Sequence, residues 1–272
     1  MMATTLEQGL LDFRGLDLLA RGESAVHRCD ARAKILVALV FLVCVMSFER
    51  HAIAPLLPYF AFAIVIVAWA GLPLGFLARK AALVLPFAFA VGLANPWFER
   101  EVVVVADGVS VGAGWLSLAS IVLRSLLAGA AAVVLIAVTG FPALCAALAR
   151  LGVPRPLVVQ LMFLHRYLVV VGEEAARMAA ARVQRSAGSP LSIRGFAFLA
   201  GHLLLKSLDR AERIHRAMRA RGFDGSYPLR TPGRLGGRDA AVVATLCALL
   251  VLLRGADVVG AIGRAVVGSG AP

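Results

Sequence analysis

The chain has 272 residues, of which 60% are hydrophobic and 16% charged, and its mean hydropathy is +0.85. This composition excludes an ordinary soluble domain and predicts an integral membrane protein. The formal net charge is +12, and +11 of it falls in the segment Arg150–Arg238, which holds 16 of the 28 basic residues and 5 of the 16 acidic ones.

Five apolar stretches predict an all-α integral membrane protein with about five crossings, because one crossing needs about 20 mostly apolar residues. The stretches are Ile35–Phe48, Ile53–Ala78, Ala81–Phe98, Trp115–Ala149 and Ala240–Leu253. Prolines indicate that the ends of the second stretch are not straight helix. Thr139-Gly140-Phe141-Pro142 divides the fourth stretch into a crossing and a short helix outside the membrane core, and Gly112-Ala113-Gly114 is interpreted as a turn before that crossing.

The basic residues predict the orientation. With the N-terminus in the cytoplasm, 23 basic residues face the cytoplasm and 4 face the other side, and Arg124 lies inside the fourth crossing. The predicted layout in the cell membrane is a cytoplasmic segment 1–32, crossings one to four in 33–139, a cytoplasmic module of long amphipathic helices in 140–237, the fifth crossing in 238–254 and a tail 255–272. No cleavable signal peptide is expected.

Several kinds of chemistry have no support in the sequence. The chain has no GxxxxGK[ST] phosphate loop, its 5 histidines and 4 cysteines are scattered, and carboxylates are almost absent from the crossings. We therefore expect no catalytic residue, no metal site and no cofactor in this chain. A nucleic-acid role is disfavoured because aromatic residues are sparse in the basic segment. Arg124 is expected either to contact another membrane subunit or to satisfy a polar group in its own bundle.

The basic segment predicts two long amphipathic helices at the membrane surface. The first runs from about Pro156 to Ser186, and the second runs from a cap at Ser189 and Pro190 to about Arg221, with Gly222 as its stop. Each helix carries an apolar stripe at helical spacing. The stripes are Leu164, Leu168, Val171, Ala175 and Met178 in the first helix and Leu204, Leu208, Ala211, Ile214 and Met218 in the second.

The two helices match each other at an offset of 36 residues, and each ends in an arginine followed by a very small residue, Arg185-Ser186 and Arg221-Gly222. A paired ending favours two equivalent docking sites on a dimeric partner, with each arginine in an acidic pocket. The alternative is a pair of amphipathic helices held on anionic lipid by their basic faces.

Four segments resemble one protein family. Leu208-Asp-Arg-Ala-Glu-Arg-Ile-His-Arg-Ala-Met-Arg-Ala-Arg-Gly-Phe223 resembles the signature of the transmembrane T component of energy-coupling factor (ECF) transporters. Glu173-Glu-Ala-Ala-Arg-Met178, continuing to Ser186, is similar to the family's first such motif. Phe163-Leu-His-Arg-Tyr167 and His27-Arg-Cys-Asp-Ala-Arg-Ala-Lys34 are similar to the cobalt-type branch, CbiQ. The first motif reads Gln-Arg-Ser where Ala-Arg-Gly is common, and Ala31 stands where the family usually has proline.

The resemblance implies a non-catalytic coupling subunit of an ATP-driven metal importer. Its partners would be a pair of P-loop ATPase subunits, which bind ATP and magnesium, and a metal-binding membrane S subunit. The implied ATPase contacts are Gln184, Arg185, Ser186, Ala220, Arg221 and Gly222. Possible secondary contacts are Arg182, Arg177 and Arg213. Cobalt is the favoured substrate, with nickel or a vitamin as alternatives, and a self-contained secondary carrier or a membrane scaffold are the alternatives from other classes.

Overall fold

The computed structural model describes residues 15, 17–22, 24–49, 53–98, 102–105, 109–185, 192–225 and 236–255. This part of the chain forms two compact units. The bundle unit comprises Leu19–Gly140 and Gly233–Pro272, and the paired-helix unit comprises Met1–Leu18 and Phe141–Pro232. The described residues are helical apart from one small β-hairpin.

Nine helices are numbered here in chain order. They are α1 (Ala31–Met46), α2 (Leu57–Ala70), α3 (Leu74–Ala81), α4 (Leu85–Gly92), α5 (Ala113–Thr139), α6 (Phe141–Arg150), α7 (Arg155–Arg185), α8 (Ile193–Ala220) and α9 (Gly237–Gly255). Single helical turns at Ala25–Arg28 and Asn95–Phe98 and 3₁₀ turns at Ala54–Leu56 and Ala82–Val84 accompany them, and strands β1 (Val102–Val105) and β2 (Val109–Gly112) precede α5.

The five predicted crossings overlap helical segments of the described residues, but the boundary between the second and third differs, because the end of the second predicted stretch, from Leu74 onward, belongs to the third helical segment. Within the described residues, two of these helices, Leu74–Trp97 (24 residues) and Ala113–Thr139 (27 residues), are long and apolar enough to span a membrane. The first two crossings are shorter, with 16 residues in α1 and 17 in Ala54–Ala70, and α9 carries charges at both ends. By length and composition α7 is also able to span a membrane, whereas the sequence analysis predicted that it lies outside the membrane.

Glycine at a positive φ ends two helices of the bundle unit. The stretch Ile53–Ala78 divides at Gly71, the left-handed cap of α2 with φ of 67°. The predicted division of the fourth stretch is present at Gly140, where φ is 74° and α5 gives way to α6. In both places the next helix begins within three residues, so glycine sets the direction of the following element.

The turn predicted at Gly112-Ala113-Gly114 is wrong. Gly112 is the last residue of β2, which pairs antiparallel with β1 in the register Val102↔Gly112 and Val105↔Val109, and α5 begins directly at Ala113. Gly114 has a packing role, because a Cβ there would lie 2.5 Å from Cα of Pro96. The hairpin forms because four consecutive β-branched valines favour a strand over a helix.

The core of the bundle unit brings together α1, α2, α5 and α9. Its largest fully buried side chain is Tyr59, whose ring packs edge-on against Phe41 at 5.8 Å and Phe48 at 5.6 Å between centroids. The Tyr59 hydroxyl donates a hydrogen bond to the carbonyl of Leu250 at 2.9 Å. This contact links α9, from the end of the chain, to the helices that precede the paired-helix unit in sequence.

Charged side chains of the bundle unit bind backbone carbonyls at helix ends. Lys34 Nζ donates to the carbonyls of His27 (3.0 Å) and Val138 (3.1 Å). Arg254 donates to the carbonyl of Ser47 at 2.8 Å, and Arg124 donates to the carbonyl of Glu49. Of the two roles considered for Arg124, the structure therefore supports the one in which it satisfies a polar group of its own bundle. These contacts satisfy acceptors that a helix end leaves open.

Candidate functional site

The two basic helices α7 and α8 lie antiparallel in the paired-helix unit. Glu174 in the middle of α7 forms ion pairs with Lys206 and, at 3.8 Å, with Arg210 of α8. Toward the other end, Gly195 in the first turn of α8 approaches Arg182, and a Cβ at Gly195 would lie 3.0 Å from its Nη2. Contacting positions thus run in opposite directions along the two helices. The helix bounds agree with the prediction, except that α8 begins at Ile193.

The cap of α8 is Ser192, whose hydroxyl accepts a hydrogen bond from the Gly195 amide at 3.1 Å. The predicted cap, Ser189 with Pro190, is therefore wrong for the helix that the structure shows, and both residues lie outside the described ones. A serine immediately before the first helical residue satisfies a free amide in the first turn.

Glu174 is the electrostatic centre of the pair. Its side chain is only 13% exposed, and it accepts hydrogen bonds from Lys206 and, at 2.7 Å, from Arg177. The Lys206 ammonium, followed by the Arg177 guanidinium, lowers the pKa of Glu174 to about 2. The carboxylate is therefore ionised at every physiological pH and holds α7 and α8 together through cations from both helices.

The apolar stripes of the two helices line a common groove of about 530 Å³. Members of both predicted stripes line it, namely Leu164, Val171, Leu208, Ala211, Ile214 and Met218. The groove is open, since Leu164 is 58% and Leu208 is 55% exposed. A continuous apolar groove on a basic helix pair is typical of a surface that binds another protein.

Both predicted arginine motifs lie at helix ends and are exposed. Arg185 is the last residue of α7, and Arg221 is the C-cap of α8, followed by Gly222 with φ of 77°. Ala220 and Gln184 are exposed beside them, whereas Ser186 lies outside the described residues. Gly222 ends the helix as predicted, because its positive φ is unfavourable for residues with a Cβ.

The antiparallel arrangement places the two arginines at opposite ends of the pair. Arg185 is about level with Gly195, and Arg221 follows the far end of α8, 26 positions later. At 1.5 Å per residue this separation is about 40 Å along the helix axes. The sequence alone does not give this distance, because the two motifs are related by a repeat and their direction depends on how the helices pair.

The three arginines predicted as possible secondary ATPase contacts differ in what they contact in the structure. Arg177 is 62% exposed and pairs with Glu174 and, at 4.0 Å, with Glu173, so its ionic partners lie on its own helix. Arg182 packs against Gly195. Arg213 is exposed on α8. The residues that the sequence analysis missed are Glu174, Lys206 and Gly195.

His165 fixes the first half of α7 within the paired-helix unit. Its ring stacks on Phe141 of α6 at 4.6 Å between centroids, and its Nε2 lies 3.2 Å from a carboxylate oxygen of Asp17. This histidine belongs to the segment Phe163–Tyr167 noted in the sequence. Over the described ranges, no three His, Cys, Asp or Glu side chains come together in a way that would hold a metal ion.

The fold and the basic helix pair define a class of protein. It is a multi-pass helical membrane protein in which two long basic helices come between the last two helices of the apolar bundle in sequence. Residues 22–232 match the CbiQ family, described as cobalt transport protein. Because this match covers most of the chain, the chain belongs to the CbiQ family of cobalt transport proteins, and the predicted resemblance is confirmed.

Two relatives extend the comparison. The chain is 29% identical over 160 residues to the cobalt transport protein CbiQ of Salmonella typhimurium strain LT2, an alignment that covers 54% of this chain and 71% of the relative. It is 26% identical over 223 residues to an uncharacterised protein of Methanocaldococcus jannaschii, covering 75% of this chain and 79% of the relative. The family match includes both basic helices as well as the first four predicted crossings.

Proposed function

We propose that this chain is the transmembrane coupling (T) subunit of an ATP-driven ECF-type importer whose substrate is cobalt. One observation carries the proposal: α7 and α8 form a single element with an exposed arginine motif at each end, about 40 Å apart. Two equivalent ends suit a pair of equivalent partners. In this scheme Arg185 and Arg221 each dock in a groove of one ATPase subunit.

ATP hydrolysis belongs to the partners in this proposal. The chain has no phosphate-binding GxxxxGK[ST] motif, so ATP and magnesium would be bound by the ATPase pair. When the ATPase pair closes on ATP, its contacts with the two ends of the helix pair would change. For ATP to bias the transporter, the contact free energy between α7–α8 and the ATPases must differ between nucleotide states.

The apolar surface of α7 and α8 is the proposed contact for the substrate-binding S subunit. Besides the groove, α8 exposes Ile193 (91%) and Phe198 (67%), which would be unfavourable in water. A partner that covers this surface would move with the helix pair. The cytoplasmic placement of the helix pair and of the N-terminus rests on the distribution of basic residues.

The use of polar groups in the bundle unit favours coupling over a self-contained carrier. A carrier needs ionisable side chains directed at cargo or at a proton path. Here Lys34, Arg124 and Arg254 donate to backbone carbonyls. The preference for cobalt as the substrate comes from the family, since no residue of this chain is proposed as a metal ligand.

Purification from native membranes in mild detergent, with mass spectrometry of the copurifying proteins, tests the proposal. We expect a P-loop ATPase and a small membrane protein that carries histidines and binds a metal ion. A vitamin-binding or nickel-binding membrane partner would keep the coupling role and change the substrate. A chain that is isolated alone and imports cobalt in proteoliposomes without ATP would overturn the coupling role.

A further inference from the structure

A second groove lies entirely within the bundle unit, between α1, α2, α5 and α9, and no part of the coupling scheme uses it. Its volume is about 690 Å³, which is within the range of small-molecule sites, about 300–1,000 Å³. Its walls are apolar and include Val37, Phe41, Phe62, Leu135 and Leu246. A site with such walls between membrane helices suits a hydrocarbon chain.

Among the described residues, two cations and one carboxylate line this groove. Arg28 lies before α1, Lys34 lies in the first turn of α1, and Asp239 lies in the first turn of α9. Lys34 is held in place by the carbonyls of His27 and Val138. Because an ammonium has three donors, one remains for a ligand, and its position is fixed by the other two.

The groove also has a marker of membrane depth. Trp69 lines it, is 64% exposed, and lies one residue before the end of α2. Exposed tryptophans concentrate at the boundary between the hydrocarbon core and the headgroups. The charged residues therefore lie at headgroup level, and the apolar walls extend from there along α1 toward Phe41.

We propose that this groove binds one phosphatidylethanolamine molecule from the leaflet at the start of α1, which is the cytoplasmic leaflet in the proposed orientation. The lipid phosphate lies at Arg28 and Lys34, its ammonium at Asp239, and one acyl chain along the apolar walls. Basic residues alone would select an anionic lipid. Asp239 changes the selection, because a carboxylate repels a purely anionic headgroup and accepts hydrogen bonds from a primary ammonium.

Native mass spectrometry of the purified, delipidated chain tests this site. The protein is mixed with equal amounts of phosphatidylethanolamine and phosphatidylglycerol, and retained lipid is identified and counted. One bound phosphatidylethanolamine is expected for the unchanged chain. Asp239→Asn should reduce the preference for phosphatidylethanolamine about tenfold, the size of one charge-assisted hydrogen bond. Arg28→Gln should weaken the retention of both lipids.

A matched pair of α1 variants tests the acyl-chain part. Ala38 lines the groove, whereas its neighbour Leu39 is 55% exposed and does not line it. Ala38→Trp should remove the bound lipid, and Leu39→Trp should retain it, with both variants giving the same gel-filtration profile. Equal lipid retention by the two tryptophan variants would overturn the proposal. So would a preference for phosphatidylglycerol, or an Asp239→Asn variant that keeps the original preference. None of these measurements involves an ATPase, so their failure leaves the coupling role to its own test.

Discussion

Reversing the charge of either arginine at the ends of α7 and α8 should uncouple the transporter. An interface arginine at a docking hot spot contributes about 2 kcal/mol or more, which is about 30-fold in affinity. The larger effect comes from linkage, because both ends belong to one element about 40 Å long. Loss of one end turns two-point binding into one-point binding, which lowers affinity by about 10² to 10⁴-fold.

Arg221→Glu and Arg185→Glu should therefore each abolish cobalt uptake, and the double variant should be no worse than the worse single one. The assay is uptake of radioactive cobalt by the complete complex in proteoliposomes, together with the dissociation constant for the ATPase pair. Arg219→Glu is the matched control, since Arg219 is exposed in the last turn of α8 and outside the motif. All variants should keep their thermal stability, because exposed helix ends contribute little to packing.

Two results would refute this reasoning. Uptake at the level of the unchanged chain in the double variant would remove both arginines from the coupling mechanism. An equally large loss in Arg219→Glu would show that the ATPases respond to the overall basic charge of the helix pair and not to the two ends.

Three further substitutions test the structure beneath this mechanism. Glu174→Gln should increase amide exchange in α8, and Glu212→Gln, which removes an exposed ion pair, should not. The pKa of Glu174 is lowered from 4.5 to about 2, so its contribution to the stability of the helix pair is complete above about pH 4.5 and is lost as pH falls toward 2. Gly222→Ala should strain the end of α8 and weaken ATPase binding, whereas Gly152→Ala, which introduces a similar strain at φ of 98° but lies outside the arginine motifs, should leave ATPase binding unchanged. Gly114→Ala should destabilise the bundle unit by about 1–3 kcal/mol in thermal unfolding, because the new methyl meets the backbone of the preceding turn at 2.5–2.7 Å.

The parts of the fold that the sequence predicted are those set by local chemistry. The arginine-bearing ends of α7 and α8 and the break at Gly140 follow from hydrophobic periodicity and from glycine at positive φ, whereas the break at Gly71 was not predicted. The β-hairpin was not predicted, although four consecutive β-branched valines favour a strand. The predicted N-cap of α8 was three residues too early, at Ser189 instead of Ser192. Both serines are suitable caps, and the local sequence does not distinguish them.

The two terminal arginines of the candidate site were predicted from the sequence, but its central ion pair and its geometry were not. The repeat identified Arg185 and Arg221 as equivalent, and nothing in a repeat states whether the two helices run parallel or antiparallel. The antiparallel direction is shown by two contacts together, Glu174 with Lys206 and Arg182 with Gly195, because the later residue of α7 meets the earlier residue of α8. Arg177 had the same standing as Arg213 in the repeat, yet it is engaged by Glu174, because the two helices have different acidic neighbours.

The pairing of α7 with α8 also bears on whether α7 crosses the membrane. The apolar part of α7 ends at Gly172, and by length this helix would span. The half of α8 that lies beside it holds eight charged side chains between Lys206 and Arg221, which would enter the hydrocarbon with it at a cost of about 2.5–3.5 kcal/mol for each centrally placed charge. A spanning α7 would also put Arg185 and Arg221 on opposite sides of the membrane.

Both ends of α7 are therefore expected on one side of the membrane. In a cysteine-free chain, Arg155→Cys and Gln184→Cys should both react with a membrane-impermeant maleimide in inside-out vesicles. Reaction of one position in inside-out and the other only in right-side-out vesicles would show that α7 spans, and the two-point docking of its partner helix would fail with it.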